Sequence, residues 1–478
     1  MSRNGNNLKI LYYNWVQFDN RNKIGGGVNI YQYNLIDELK NNPDYDLYFL
    51  SSGLKYNPFK PYPYIKRTKN IFGNKCKTYE IINSSIIAPA FAIYMNPKKF
   101  IEDNESYKIF KKFVKKYGPF DVIHFNNIEG ISVNVLKIKE DFPNTKIVLS
   151  IHNYQPICPL VQYFQNHNDC ICNDYNDGKE CLSCSAWKPD KKEYVRKCRS
   201  YLLSKVPPYL LPIFKPFINI FTKLFKFKTE EYIGSIATMI PKEYVNYRKY
   251  NIEQINKYVD TVLAVSDRVR QIMVEHGTNP EIIKTSYIGT KFAEKELGYS
   301  IAPKSDKLTI AYLGYERIDK GFFFFIDALS KLDKEIAKNI NVVLAVSNIH
   351  FENYEGKLNN FNKVIIHNGY THDMLPNILK DVNLGVVPVL WEDNLPQVAI
   401  EMVANGVPIL CSSFGGSSEL CENDLFKFQG ANEQDFINKL SIFVKNPYKI
   451  DEYWLKRKKL TTMEQHIQEL NKYYGVIK

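Results

Sequence analysis

Apolar and polar positions follow two rhythms along this chain, and both recur. The run LKILYYNW from Leu8 is short and apolar, whereas VNIYQYNLIDELK, after a polar loop and the triplet GGG at 25–27, is amphipathic. The first pattern predicts a strand and the second a helix. The strand pattern returns in DLYFLSS, DVIHFNN, KIVLSIHN, DTVLAVSD and KTSYIG. After a stretch rich in Pro, Lys and Ser at 300–307 it returns in KLTIAYLGY, NVVLAVS, KVIIHNGY, LGVVPVL and PILCSS. Strands alternating with helices predict parallel sheets with helices on both faces. The expected class is α/β, with two doubly wound Rossmann-like domains facing across a cleft. We place the first domain at 1–290 with an insertion at 158–255, the second at 305–455, and at 456–478 a helix packing back on the first domain.

In such sheets ligands bind beyond the carboxyl ends of the strands. Several predicted strands of the first domain end in polar residues there: His124, Asn126, Asn127, His152 and Asn153. The glycines at 25–27 suit either close approach of backbone to a ligand at a helix start or a plain flexible turn. In the second domain, EDNLPQVAIE predicts a loop and a helix, with Asn394 as N-cap, Pro396 in the first turn and Gly406 as the stop. Asp393 then sits at the crevice rim and Glu401 about two turns into the helix. On this stretch alone, a helix with one acid near its positive end and one on its surface reads equally well. The other strand ends add Gly314 and Lys320 in YLGYERIDKG, Gly369 and Tyr370 in HNGYTHD, and Gly415, Gly416, Ser417 and Ser418 in SSFGGSSEL. A cation before a helix, a flat aromatic wall and two hydroxyl acceptors in one domain describe a nucleotide-sugar site.

Composition narrows the class. The chain has 478 residues, of which 45% are apolar and 14% aromatic, which excludes a disordered polymer. Neither MSRNGNNLKILYYNWVQ nor any later stretch has a signal-type or membrane-spanning apolar core, so a cytoplasmic protein is expected. The net charge of +12 suits nucleic acid, an anionic membrane or a phosphorylated substrate alike. Many of the cations fall in the apolar, aromatic stretch SYLLSKVPPYLLPIFKPFINIFTKLFKFK: Lys205, Lys215, Lys223, Lys226 and Lys228. That composition suits the headgroup region of an anionic membrane, the alternative being a helical hairpin with solvated lysines. The prolines at 207, 208, 212 and 216 break any long continuous helix. No nucleic acid is expected, because the basic residues form no recognisable binding module. Of the nine cysteines, Cys181 and Cys184 have knuckle spacing, and Cys158 with Cys172 or Cys170 completes a thiolate set for a structural zinc shaping the acceptor entrance. Buried thiols or a redox pair are the alternatives.

The stretches GGG, FDVIHFNNIEG, SIHNYQPICP, VDTVLAVSD, LGYERIDKG and EDNLPQVAIEMVANGVPILCSSFGGSSEL together resemble the retaining GT-B glycosyltransferases of glycosyltransferase family 4, including those of bacterial surface polysaccharide synthesis. The resemblance implies that Glu401 accepts from the donor ribose, Asp393 holds hydroxyls of the transferred sugar, and Lys320 neutralises the diphosphate. It places Gly314, Tyr315, Gly369, Tyr370, Asn394, Leu395, Gly415 and Gly416 around the donor, and Gly26, Gly27, Glu129 and His152 on the acceptor side. Where the family usually has Glu this chain has Asp393, and where it has Arg this chain has Tyr315, with Arg317 two positions on to supply the charge. Asn126 stands where many relatives have His. The resemblance further implies transfer with retention from a UDP-, GDP- or ADP-linked sugar to a saccharide or lipid-linked saccharide at the inner face of a membrane. It implies no cofactor or divalent metal in catalysis. Two other classes fit parts of the pattern: a GT-B-like sugar-nucleotide epimerase, and a non-catalytic basic binding protein. The glycine loop and the membrane-leaning insertion argue against the epimerase.

Overall fold

In β1 (Leu8–Tyr13), Ile10, Leu11, Tyr12 and Tyr13 are all fully buried. Successive side chains of a strand point to opposite faces, so both faces of β1 must be covered. Ile10 and Tyr12 pack with Tyr31, Leu35, Ile36 and Leu39 of helix Gly26–Leu39 and with Met463, Leu470 and Tyr474 of helix Met463–Tyr474. Leu11 and Tyr13 join the opposite core, with Phe110, Phe113 and Val114 of helix Asn104–Tyr117 and Ile252 and Ile255 of helix Pro241–Tyr258. The computed structural model describes residues 7–19, 24–60, 62–89, 101–165, 168–172, 181, 184, 191–224, 241–295 and 307–476.

β1 lies inside an eight-stranded sheet with β2 (Tyr45–Ser52), β3 (Tyr64–Arg67), β4 (Cys76–Ile82), β5 (Val122–Phe125), β6 (Lys146–Ile151), β9 (Thr261–Ala264) and β10 (Ile283–Thr285). Its order is β10-β9-β6-β5-β1-β2-β4-β3, parallel except for the β3 edge. A two-stranded ribbon of β7 (Phe164–Gln165) and β8 (Cys170–Ile171) stands apart. The second sheet comprises β11 (Leu308–Tyr315), β12 (Ile340–Ser347), β13 (Lys363–Asn368), β14 (Leu384–Val387), β15 (Ile409–Ser412) and β16 (Lys427–Phe428), ordered β13-β12-β11-β14-β15-β16 and parallel throughout. Both sheets are of the doubly wound kind that the apolar runs predict. The patterning does not single out β3 and β4, where Lys66, Arg67, Lys77 and Glu80 interrupt the apolar positions.

Strand order reverses between β1 and β5 in the first sheet and between β11 and β14 in the second. These are the switch points at which outgoing loops diverge and open a crevice. The loops leaving β11 and β14 contain Lys320 and Asp393, and the loop leaving β1 leads to the glycines at 25–27. Connectivity thus collects the residues that composition alone leaves scattered.

Between β6 and β9 the chain forms helices Lys191–Leu203, Leu211–Leu224 and Pro241–Tyr258. Pro207 and Pro208 separate the first two, as expected of residues without a backbone donor, yet Pro216 is accommodated inside the second. The expected break there is not made. The Lys223 side chain, Lys226, Lys228 and the stretch at 300–306 lie outside the described residues.

Candidate active site

Helix Phe322–Ser330 starts at Gly321, where φ is +73° and a Cβ would come within 1.7 Å of Pro388 O. Only glycine lets the β11 loop pass this close to the end of β14. The contact sets Lys320 beside the β14 loop, and its Nζ donates to Asp393 Oδ2 at 2.6 Å while lying 4.9 Å from the Trp391 ring centroid. Arg317, by contrast, forms a bidentate pair with Asp319 at 2.9 and 2.8 Å. Asp319 also accepts from Gln162 Nε2 of the first domain at 3.0 Å. The two candidate cations therefore differ in place: Lys320 faces the acid of the rim, and Arg317 is tied to Asp319 near the first domain.

The loop 391–396 is held from behind by the glycines of SSFGGSSEL. A Cβ on Gly415 would lie 2.2 Å from Asp393 O, and one on Gly416 would lie 2.3 Å from Asn394 O. Their amides are occupied too: Gly415 N–H donates to Glu392 Oε2 and Gly416 N–H to Asp393 O, each at 2.8 Å. These glycines act as a mould for the acidic loop, and their N–H groups point into it. The predicted N-cap is also corrected. Helix Gln397–Ala404 is preceded by Pro396, and the Asn394 amide does not cap it, because the loop turns Asn394 inward. Nδ2 and Oδ1 of Asn394, Oγ of Ser417 and Nε1 of Trp391 are buried and find no partner among the described residues. Buried polar atoms are nearly always satisfied, and these four, on the loop and the segment behind it, are available to a polar ligand. At the other end of the helix Gly406 does form the predicted stop: its N–H meets Val403 O at 3.0 Å and that of Val407 meets Met402 O at 3.0 Å, which satisfies carbonyls of the last turn.

Glu401 is 2% exposed in the second turn of this helix. A buried carboxylate needs partners, and it has His372 Nδ1 at 3.2 Å from Oε1 and the Tyr370 hydroxyl against it. Burial first, and then the Glu401 charge, push the Tyr370 phenol well above its ordinary range, so it stays a donor. The His372 ring lies 5.4 Å from that of Phe292. His372 sits inside the quoted HNGYTHD motif but carries no spacing signal that marks it.

Glu392 is the other residue that sequence reasoning passed over. It is 3% exposed, and its Oε1 accepts from Arg268 of the first domain at 2.5 Å while Oε2 holds Gly415. Glu419 makes a second bridge by accepting from the amides of Asp267 and Arg268 at 2.9 and 2.7 Å, at the start of helix Asp267–Glu275. That position favours a carboxylate. Gly27 completes the cleft, since a Cβ there would lie 3.8 Å from Gln397 Cβ.

On the acceptor side, His152 Nε2 pairs with Asn126 Oδ1 at 3.3 Å and its ring packs on Tyr31. Burial lowers its pKa to about 3, so it is neutral. Glu129 is 3% exposed and accepts from Asn153 Nδ2 at 2.6 Å, which commits it to its own loop. His124 is fully buried between Tyr474 OH at 2.7 Å and Ser150 Oγ at 2.8 Å.

Two of the cysteines expected to hold zinc, Cys172 and Cys181, lie against Arg248. Cys158, Cys172, Cys181 and Cys184 are all buried, with Cys172 beside Cys158 and Arg248, and Cys181 packed with Ile86 and Tyr247. Arg248 donates to Cys181 Sγ at 3.1 Å, setting a guanidinium where a cation was expected. Among the described residues no group of three or more Cys, His, Asp or Glu side chains is placed to hold a metal ion. Burial pushes the Cys172 thiol up to about 11, which keeps it protonated.

Residues 295–461 match the family model described as glycosyl transferases group 1. No curated protein matches the chain by sequence. Among solved structures, the lipopolysaccharide outer core galactosyltransferase WaaB in its apo form aligns at TM-score 0.58 and 11% identity over 98% of this chain and 100% of its own. Sucrose-phosphate synthase from Thermosynechococcus elongatus gives 0.56 and 13% over 98% of each chain. Anabaena HepE in complex with UDP-glucose gives 0.55 and 13% over 98% of this chain and 100% of its own. The fold is GT-B, and by its matched domain the chain is a glycosyltransferase.

Proposed function

We propose that this glycosyltransferase moves a hexose, with retention, from a nucleoside diphosphate sugar to a saccharide acceptor carried at a membrane surface, in the assembly of a surface polysaccharide. The observation that carries the donor half is the Lys320–Asp393 pair beside the unpartnered Asn394 and Ser417. A diphosphate entering there draws the Lys320 ammonium to itself and releases the Asp393 carboxylate to accept from sugar hydroxyls. Glu401, deeper in the cleft, takes the ribose hydroxyls in place of His372. HepE was solved with UDP and with UDP-glucose, which makes a UDP-hexose the first donor to test.

Chemistry in this reading is mainly leaving-group stabilisation. The bond from the anomeric carbon to the β-phosphate oxygen breaks, its electron pair stays on the diphosphate, and Lys320 meets that charge in a site shielded from water. The acceptor hydroxyl bonds to the same face of the anomeric carbon and passes its proton to the departing phosphate oxygen. His152, neutral and set behind Asn126, orients the acceptor side without carrying charge.

The membrane half rests on helix Leu211–Leu224. Tyr209, Ile213, Phe217 and Ile220 are 78, 59, 67 and 59% exposed, and Phe59 stacks on Phe221 beside them. An apolar surface of this kind beside Lys205 and Lys215 suits an interface with anionic lipid. Among the described residues no helix is long and apolar enough to cross a membrane, so contact would lie in the headgroup plane.

The test is transfer from radiolabelled UDP-, GDP- and ADP-hexoses into saccharide and lipid-extractable acceptors, with the product's anomeric configuration read by NMR. Inverted product removes retention. Epimerised nucleotide sugar without transfer overturns the reading.

A further inference from the structure

A second cavity, of about 520 Å³, opens in the first domain between the loop leaving β1, Leu54 and Lys55 after β2, residues 68–71 after β3, Glu80 of β4, and helix Lys191–Leu203. That volume is within the range of small-molecule sites. Its lining includes Lys55, Lys69, Arg196 and Lys197 against Asp19 and Glu80, an excess of two positive charges. Glu80 is 2% exposed and is spanned by Lys55 at 2.5 Å, so one acid is already answered within the wall. Lys197, 9% exposed, donates to Ala88 O at 2.5 Å, which fixes its ammonium inside the wall. Lys69 and Arg196 stand at the solvent edge. The positive field continues beyond the rim, where Lys205 crowds Lys66 and pulls the Lys66 pKa below the ordinary lysine range. Cations packed this closely favour a multiply charged anion, and a phosphate monoester carries between about one and a half and two negative charges at neutral pH.

Position ties this cavity to the cleft. Val16, Gln17, Asp19 and Ile24 of the β1 loop form one wall, and the same loop then turns through Gly25 into the helix whose Gly27 faces Gln397 across the cleft. Helix Lys191–Leu203, the opposite wall, leads directly into the exposed apolar helix Leu211–Leu224.

We propose that this cavity holds a phosphate-bearing end of the saccharide acceptor while the reacting hydroxyl enters the cleft past Gly25–Gly27. The inference rests on the acceptor reading above and adds the acceptor's chemical class. Both a water-soluble sugar phosphate and a sugar diphosphate on a lipid offer that group.

Equilibrium dialysis of the full chain without donor tests it, with radiolabelled glucose 1-phosphate, glucose and inorganic phosphate as probes. Glucose 1-phosphate should bind at least ten-fold more tightly than either other probe. Lys69→Ala with Arg196→Ala should erase that preference while leaving UDP binding and thermal unfolding unchanged. Competition by phytanyl diphosphate glucose in phosphatidylcholine vesicles would support the cavity with a lipid-borne acceptor, and competition by soluble sugar phosphates alone would support it with a free one. Equal binding of glucose and glucose 1-phosphate overturns the proposal, as does inorganic phosphate binding as tightly as the sugar phosphate, or a preference that survives the double variant. Failure of UDP to bind counts against the transferase reading and leaves the dialysis result to stand on its own.

Discussion

Lys320 and Asp393 are 73 residues apart in the chain, yet Nζ and Oδ2 meet at 2.6 Å across the switch point of the second sheet. Each holds the other's charge, and under the proposed function a ligand carrying both a diphosphate and hydroxyls would divide them. Lys320→Ala should lower kcat by about 100- to 1000-fold with a smaller change in donor KM, because the lost charge acts chiefly on the leaving group. Arg317→Ala, whose partner is Asp319, should lose less than ten-fold. Steady-state kinetics on both variants check this, and the reverse order would reassign the clamp.

Glu401→Gln should raise donor KM by about ten-fold or more, since a neutral amide replaces a buried acceptor of hydroxyl protons. His372→Ala leaves Glu401 in place and removes its 3.2 Å partner, so donor affinity should change by less than in Glu401→Gln. Calorimetric titration with UDP and with uridine separates the ribose contribution from the diphosphate. Equal affinity of wild type and Glu401→Gln for uridine would take the ribose away from Glu401.

For Gly415→Ala we expect a shifted acidic loop. The added methyl meets Asp393 O at 2.2 Å and the residue holds φ at +71°, a combination costing about 1–3 kcal/mol. Thermal unfolding should shift downward, and donor KM should rise with it. Unchanged values for both would show that the loop yields freely.

Acid should destabilise the protein through its buried histidines. His466 is 2% exposed and bonded to Tyr31 at 2.7 Å, and burial brings its pKa down to about 4; burial also holds that of His124, fully buried, well below its ordinary value. Above the unfolded value near 6.5 both states are neutral. As pH falls from there towards 4, the unfolded chain takes up protons that the folded one refuses, so stability is lost across that window. At pH 5 the loss is about 2 kcal/mol for His466 alone. Urea unfolding at pH 7.5 and pH 5 measures it, and His466→Gln should flatten the difference by that amount.

Replacing Ile213, Phe217 and Ile220 together by Ser should release the protein from vesicles containing anionic lipid while leaving UDP binding intact. All three side chains are largely exposed, so their loss removes apolar contact without opening the core. Sedimentation with phosphatidylglycerol vesicles reads the outcome. Equal sedimentation of both proteins would remove the membrane from the reading.

How far the chain can be read without coordinates depends on what each signal measures. Apolar runs report burial, so strands with both faces covered, such as β1 and β11, are legible, whereas edge strand β3 with Lys66 and Arg67 is not. Asp393 and Glu401 are legible because their spacing follows from one strand–loop–helix unit. Glu392 is adjacent to Asp393 and equally acidic, and nothing local says that it turns away to bind Arg268. The same holds for Asn394: its residue type suits a cap, and the pressure of Gly415 and Gly416 on the loop decides otherwise. Cysteine spacing meets the same limit, since proximity in sequence says nothing of the arginine that folds in from position 248.

Tyr474, nearly the last described residue, is buried against Tyr12 and His124, near the start of the first sheet. During synthesis that sheet therefore emerges first and waits, one face without part of its cover, while every strand of the second sheet is translated. The second domain has its own strands in an unbroken stretch and is free to close as soon as it leaves the ribosome. The strands of the first sheet are thus among the last to settle, and removing helix Met463–Tyr474 would leave a finished second domain attached to an unsealed partner.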